Sequence, residues 1–176
     1  MKPILYIMCG LPFSGKTVLA EKLAVRFGFS IVSIDDIRDL RGFSWQENEK
    51  VTPEDWTNIF NESFKKTLAF LRSGKSVIYD SANQDKFSRD RLKRVAAKGN
   101  FPTRVIFMDI PESVCRERWL KNKKSKKRTR FDLPDNLFQA AADTFEVPEE
   151  DEDIITYSRG TDLESWIQSN FQIKNS

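Results

Sequence analysis

The residues best suited to chemistry are Gly10–Thr17, which read Gly-Leu-Pro-Phe-Ser-Gly-Lys-Thr and have the spacing G-x-x-x-x-G-K-T. Glycines at this spacing let the backbone wrap closely enough for its N–H groups to point at phosphate oxygens. Lys16 brings a positive charge to the β- and γ-phosphates, and the hydroxyl of Thr17 can ligate Mg²⁺. The segment therefore predicts a binding loop for a nucleoside triphosphate, formed by Gly10, Pro12, Phe13, Ser14, Gly15, Lys16, Thr17 and Val18.

The segments on either side of this loop support the interpretation. The apolar run Ile4–Cys9 comes directly before it and is typical of a buried strand. After it, Leu19, Leu23 and Phe27 recur at helical spacing, and Gly28 is a typical helix end. An ordinary strand–turn–helix, whose glycines serve only the turn, is the simpler alternative. The order strand, loop, helix favours nucleotide binding, because a helix start turns its positive end toward the anion.

Acidic residues follow two further predicted strands. Asp35 and Asp36 come after the strand Ser30–Ile34, and Asp80 follows the strand Ser76–Tyr79. Ligands of parallel sheets gather at the carboxyl ends of the strands, where these acids and the phosphate loop all fall. The chain has no histidine, so a general base must be a carboxylate or, less often, Lys, Tyr or Cys.

Asp35 is therefore the candidate acceptor of a substrate hydroxyl's proton. Arg38, three residues later, is placed to hold an anionic or polar group of the substrate. The structural alternative is that Asp35 or Asp36 caps the following helix. For Asp80 three interpretations stay open: it holds a Mg²⁺-bound water, it contacts the acceptor, or it begins an Asx turn with Asn83 nearby.

Strand and helix patterns alternate along the whole chain. Beyond the strands named above, strands are predicted at 104–108 and 153–157, and helices from 52 to 73, around 87–96, from 112, at 132–145 and at 163–171. This alternation implies an α/β fold, with a parallel sheet covered by helices on both faces. At 176 residues, one domain spanning 1–176 is expected.

Composition points to a water-soluble globular protein. Apolar residues make up 39% of the chain and charged residues 31%, and no apolar run approaches the length of a membrane span. The first strand begins so early that no signal peptide is expected. Cys9 and Cys115 are isolated and predict reduced core residues. Together these features predict a cytoplasmic location and no membrane partner.

The run 121–130 carries seven basic residues in ten and no acid, so the net charge of +3 is concentrated there. One interpretation is a lid, over about 116–137, whose arginines close on the triphosphate and exclude water. A nucleic-acid contact and a solvated loop are the alternatives. The oligomeric state is left open by the sequence.

Four stretches together resemble a known family: Gly10–Thr17, Asp35–Arg38, Val77–Asn83 and Phe145–Glu152. Over about residues 1–157 the chain is similar to the P-loop kinases that include the 5′-kinase part of polynucleotide kinase, zeta toxins, chloramphenicol phosphotransferase and small uncharacterised ATP-dependent kinases of the AAA type. It departs from them in two places. Phe13 stands where a glycine is common, and Ser81-Ala82-Asn83 replaces an Ala or Asp followed by Thr-Asn.

The resemblance implies a P-loop NTPase three-layer sandwich with a five-stranded parallel sheet of order 2-3-1-4-5 and a helical lid. It also implies ATP and Mg²⁺ as cofactors, Asp35 as general base and Arg38 on the acceptor side. The lid arginines on the triphosphate would be Arg118 and Arg128. The expected catalytic residues are thus Lys16, Asp35, Arg118 and Arg128.

The leading hypothesis is an ATP-dependent kinase that moves the γ-phosphate to a hydroxyl of a small molecule or of a nucleic-acid end. The alternative is a nucleic-acid-binding or regulatory P-loop ATPase without a dedicated hydroxyl acceptor. A preference for ATP over GTP is not decided by the sequence. Nucleic acid, if it is a partner, would bind through residues 121–130.

Overall fold

The structure, a computed structural model, describes residues 2–43, 50–124 and 133–171. Its strands are β1 Leu5–Cys9, β2 Ser30–Ser33, β3 Val77–Asp80, β4 Thr103–Asp109 and β5 Ile154–Ser158. Its helices are α1 Lys16–Phe27, α2 Ile34–Leu40, α3 Pro53–Arg72, α4 Lys86–Ala97, α5 Glu112–Lys124, α6 Asp135–Asp143 and α7 Leu163–Asn170.

The five strands form one parallel sheet in the order β2-β3-β1-β4-β5, as expected from the resemblance. The register aligns the strand ends: Ser33 pairs with Asp80, and Cys9 pairs with Phe107. The phosphate-binding loop, residues 10–17 and hereafter the P-loop, therefore leaves the middle strand of the sheet. Polar residues that follow β2 and β3 lie along the same edge.

Side chains of β1 alternate between two separate hydrophobic clusters, which is why the fold has three layers. Tyr6 and Met8 belong to a cluster with residues of α1, α5, α6 and α7. Leu5, Ile7 and Cys9 belong to the opposite cluster, with residues of α2, α3 and α4. All five residues are buried, as a strand covered on both faces requires.

Helix boundaries follow local signals. The Thr52 side chain caps α3, and the side chain of Asp55 bonds back to the Thr52 N–H, with Pro53 in the first turn. Such a cap stabilises a helix by about 1 kcal/mol. At α2 the structural alternative, that Asp35 or Asp36 caps the helix, is wrong. Because Ser33 accepts the N–H of Asp36, Ser33 is the N-cap, and neither Asp35 nor Asp36 caps the helix.

Helix α6 and the two buried cysteines were both expected from the sequence. The helix expected at 132–145 is α6, which begins after Pro134, where a proline suits the helix start; residue 132 lies outside the described residues. Cys9 and Cys115 are buried and free, as predicted. Among the helices described, none is both long and apolar enough to cross a bilayer.

Candidate functional site

Glycine is required at the start of the P-loop because there is no room for a side chain. Gly10 has φ +149°, and a Cβ there would lie 2.9 Å from the Cβ of Met108 and 3.1 Å from its carbonyl oxygen. Gly15, with φ +104°, is the N-cap of α1. The backbone of the loop is thereby bent so that the first turn of α1 faces the loop's interior, where anions bind at helix starts.

Phe13 has a left-handed backbone conformation, which favours glycine, the residue that the resemblance led us to expect there. Its φ is +63°, in the left-handed region, which costs a residue with a Cβ about 1–2 kcal/mol. The ring packs against the cluster that contains Met8 and Met108. The turn of the P-loop is therefore kept although the residue type differs.

The ammonium of Lys16 lies inside the loop. Lys16 is 7% exposed, and its Nζ donates to the carbonyl oxygens of Gly10 and Leu11, each at 2.8 Å. Nearby, the buried hydroxyl of Ser14 has no hydrogen-bond partner within the described part of the chain. A buried hydroxyl without a partner is unusual in a folded protein. Its position beside a buried cation fits a loop that receives phosphate oxygens.

Arg118 of α5 reaches the P-loop. Its NH1 donates to the carbonyl oxygen of Phe13 at 3.2 Å and to that of Ser14 at 2.9 Å. The structure thus brings this expected lid arginine next to the loop. Arg128, the second expected lid arginine, lies outside the described residues. The part of the basic run that is described makes ion pairs within the protein, Lys121 with Glu117 and Lys123 with Asp135.

A cavity of about 410 Å³ lies beside the P-loop, on the β4 and β5 side of the sheet; its lining includes Phe13, Val18, Met108, Arg118, Asn122 and Tyr157. This volume is in the range of small-ligand sites. The sequence reasoning missed Met108, Asn122 and Tyr157. Met108 and Tyr157 lie at the carboxyl ends of β4 and β5, so the rule that identified Asp35 and Asp80 would have found them.

The acidic edge lies on the other side of the P-loop. Asp80 ends β3 opposite Ser33, is 9% exposed, and follows Tyr79, which pairs with Ile7 of β1. In the loop after β3, Asn83 donates its amide to the carbonyl oxygen of Met8 at 2.8 Å. The loop after β3 is therefore fixed directly to the strand that leads into the P-loop.

Arg38 is fully buried and faces protein groups. Its NH1 donates to Asp35 at 3.2 Å, its NH2 to Asp39 at 2.6 Å and its Nε to the carbonyl oxygen of Phe43 at 3.1 Å. The side chain of Asp35, by contrast, is 55% exposed. The buried guanidinium of Arg38 thus holds the carboxylate of Asp35 from the protein side, while the carboxylate remains accessible to solvent.

The residues present fit a magnesium ion that is shared with a nucleotide. Within the described ranges, no three His, Cys, Asp or Glu residues come together as a metal cage. Mg²⁺ is usually held by one or two protein groups together with substrate phosphates and water. Thr17 and Asp80, from the P-loop and the neighbouring strand, are donors of this kind.

A buried ion pair stabilises the loop after β3. Arg89 and Glu152 are both inaccessible, and the Arg89 guanidinium also donates to the carbonyl oxygens of Asn83 and Glu146. Burial alone would raise the pKa of Glu152. Hydrogen bonds from Arg89 and Lys93 outweigh that effect and lower the pKa to about 2. Sequence reasoning noted the stretch Phe145–Glu152 but assigned no role to Arg89.

The parallel sheet of order 2-3-1-4-5 with a P-loop after its middle strand defines a P-loop NTPase fold of the kinase type. The chain belongs to the AAA domain family, because the model of that family, AAA_33, matches residues 5–148.

The chain is also similar to a curated relative and to solved structures that share its fold. Protein KTI12 homolog of Arabidopsis thaliana is 30% identical over 155 residues, which are 82% of this chain and 48% of that protein. The chain thus spans about half the length of this curated relative. A sugar kinase from Janibacter sp. HTCC2649 has a TM-score of 0.69 at 21% identity, covering 96% of this chain and 92% of that chain. The APS kinase CysC of Mycobacterium tuberculosis, in complex with AMPPNP and APS, has a TM-score of 0.64 at 18% identity, covering 96% and 95%.

Proposed function

We propose that this protein is an ATP-dependent kinase that transfers the γ-phosphate to a hydroxyl of a small molecule or a nucleic-acid end. In the transfer, the acceptor oxygen bonds to the γ-phosphorus and the bond to the β,γ-bridging oxygen breaks. ADP leaves with that oxygen, and the hydroxyl proton passes to the carboxylate of Asp35. Proton acceptance by a positioned carboxylate is general-base catalysis.

The other residues bind and position the reactants. Lys16 exchanges its two carbonyl contacts for phosphate oxygens, and Arg118 approaches the triphosphate from α5. Arg38 acts on the acceptor side through Asp35, whose carboxylate it holds. Mg²⁺, held by Thr17 and Asp80, would neutralise charge that develops on the phosphates. The cavity beside Met108 and Tyr157 would receive the nucleoside.

The observation that carries this proposal is the half-exposed carboxylate of Asp35, held by the fully buried Arg38, at the sheet edge where the P-loop lies. A nucleotide switch or a regulatory ATPase has no use for an anchored carboxylate at that position. An enzyme that must accept a proton from an alcohol needs such a carboxylate, because this chain has no histidine.

Transfer from labelled ATP to a panel of hydroxyl compounds tests the proposal. The panel contains nucleosides, 5′-hydroxyl oligonucleotides, sugars and amino-sugar nucleotides, and the Lys16→Ala variant serves as the inactive control. We expect label on at least one of these acceptors with the unmodified protein and none with the variant. Release of phosphate to water alone would overturn the proposal and favour the ATPase alternative.

A further inference from the structure

A second cavity, of about 200 Å³, lies between α3 and α4 at the carboxyl end of β3. Phe60 and Phe64 of α3, Tyr79 of β3 and Arg91 of α4 line it, together with the loop 81–85. It shares no lining residue with the cavity beside Met108. The strand order puts this cavity on the β3 side of the P-loop and the other one on the β4 side, so the two flank the loop.

Arg91 has an arrangement that leaves its charge available. The carbon at the centre of its guanidinium lies 5.0 Å from the ring centroid of Phe60, 5.2 Å from that of Phe64 and 5.8 Å from that of Phe87. In ranges 2–43, 50–124 and 133–171, it makes no hydrogen bond or ion pair with the protein. Ring faces attract a cation but accept few of its N–H donors, so the edge of the fork remains free for an oxyanion.

The acid nearest to this cavity is already committed elsewhere. One oxygen of Asp85 accepts the N–H of Ser88 at 2.6 Å, and the other accepts the Ser88 hydroxyl at 2.9 Å. Asp85 thereby caps α4. Arg89, two residues before Arg91 on the same helix, is already paired with Glu152. Among the described residues that line this cavity, the cation is Arg91.

We infer that this cavity binds an anionic group of the phosphate acceptor through Arg91, so that the acceptor is a hydroxyl compound that already carries a phosphate group. A guanidinium fork matches two oxygens of a phosphate. The volume is below the usual range for a whole ligand, so the cavity would take the phosphate-bearing part of the acceptor. Both a free sugar phosphate and the terminal nucleotide of a nucleic acid supply this chemistry.

The position of the cavity connects it to the proposed reaction, on which this inference rests. Its rim residues Ser81 and Ala82 directly follow Asp80, and Asn83 bonds to the strand that leads into the P-loop. Neighbouring strands of a sheet lie only about 4.8 Å apart. An acceptor anchored at Arg91 would therefore lie about one strand away from the P-loop, on the side of the acidic edge.

Binding and transfer are measured separately, so that the cavity and the proposed kinase activity can fail independently. Binding of ribose 5-phosphate and of ribose is measured by calorimetry in the Lys16→Ala background, which weakens phosphate binding at the P-loop. We expect ribose 5-phosphate to bind and ribose not to. Arg91→Gln should raise the dissociation constant at least tenfold, Arg91→Lys by a smaller factor, and Arg94→Gln, a matched change on the same helix, less than twofold.

Transfer from ATP is then compared for ribose 5-phosphate against ribose, and for nucleoside 3′-monophosphates against nucleosides, in the protein with Lys16 intact. The inference is supported if the phosphorylated compound of either pair is the better acceptor and if Arg91→Gln abolishes that preference. The pair that shows the preference tells whether the acceptor is a sugar phosphate or a nucleic-acid end. The inference is overturned, even if transfer occurs, if ribose binds as tightly as ribose 5-phosphate. It is also overturned if neither Arg91 variant weakens the binding of ribose 5-phosphate. Binding that depends on Arg91 without any transfer would instead overturn the kinase proposal.

Discussion

Arg89 and Glu152, 63 residues apart in the chain, form an ion pair in which neither side chain is exposed. Two nitrogens of the guanidinium donate to the carboxylate, and its third donates to the Asn83 and Glu146 carbonyl oxygens. Lys93 bonds to the same carboxylate at 2.8 Å. Helix α4, the loop after β3 and the segment before β5 are joined by this one group.

The first prediction concerns stability. Glu152→Gln should lower the free energy of unfolding by about 3–5 kcal/mol, because it leaves the Arg89 cation buried without its counter-charge. The matched control is Asp153→Asn, which removes the neighbouring carboxylate; that group is 59% exposed and pairs with Arg104 at the surface. The control should change stability by less than about 1 kcal/mol. Urea titrations measure both, and equal losses would contradict the argument.

The same pair predicts how stability depends on pH. The pKa of Glu152 is lowered from 4.5 to about 2, so the unfolded chain binds a proton more readily than the folded one in that interval. Its contribution, roughly 3 kcal/mol, should be complete above pH 5 and lost progressively as the pH falls toward 2. The free energy of unfolding should therefore fall more steeply with decreasing pH in the unmodified protein than in Glu152→Gln. If the free energy of unfolding falls equally with pH in both proteins, a group other than Glu152 causes the pH dependence.

Asp35→Asn tests the proposed base. The substitution preserves shape but removes the proton acceptor, so the turnover rate should fall by about 10²–10⁴-fold, while the dissociation constant for ATP stays within about twofold. Asp36→Asn changes the next carboxylate, which in the described part of the chain makes no hydrogen bond or ion pair with Arg38, and should leave the rate nearly unchanged. Steady-state kinetics and nucleotide titration measure the two quantities. Equal rates in the two variants would remove Asp35 from its role.

Arg118→Gln tests the contact between α5 and the P-loop. Loss of a charged donor to two carbonyl oxygens should raise the dissociation constant for ATP about tenfold, which corresponds to about 1.4 kcal/mol. Arg116→Gln is the control on the same helix, since Arg116 bonds to Glu112 and Gln139 and not to the loop. Titration with a fluorescent ATP analogue distinguishes them. A similar effect of both variants would indicate a general loss of positive charge.

Gly10→Ala should disrupt the P-loop by crowding. The added methyl group would lie 2.9 Å from the side chain of Met108, a contact that overpacked cores relieve only at a cost of about 1–3 kcal/mol. At Gly28, with φ +68° and nothing within 4 Å of the added atom, Ala should cost only the conformational penalty of about 1 kcal/mol. Thermal unfolding and ATP titration of both variants test this. Intact ATP binding in Gly10→Ala would contradict it.

Local signals predicted most of the fold, and long-range partners account for the rest. The P-loop, the cap Thr52 and the acids after β2 and β3 each depend on a few consecutive residues, so the sequence is enough to find them. The pairing of Arg89 with Glu152 depends on groups 63 residues apart in the chain. The ring contacts of Arg91 likewise come from two helices. No periodicity marks such pairs, because charged side chains on a helix ordinarily face solvent.

The hydrogen bond from Asn83 to the Met8 carbonyl oxygen connects the loop that lines the second cavity to the strand that leads into the P-loop, beside which the first cavity lies. Sheet pairing already ties β3 to β1, and this amide extends the tie beyond the last paired residues. The spacing between the two cavities is consequently set by covalent and hydrogen-bonded geometry.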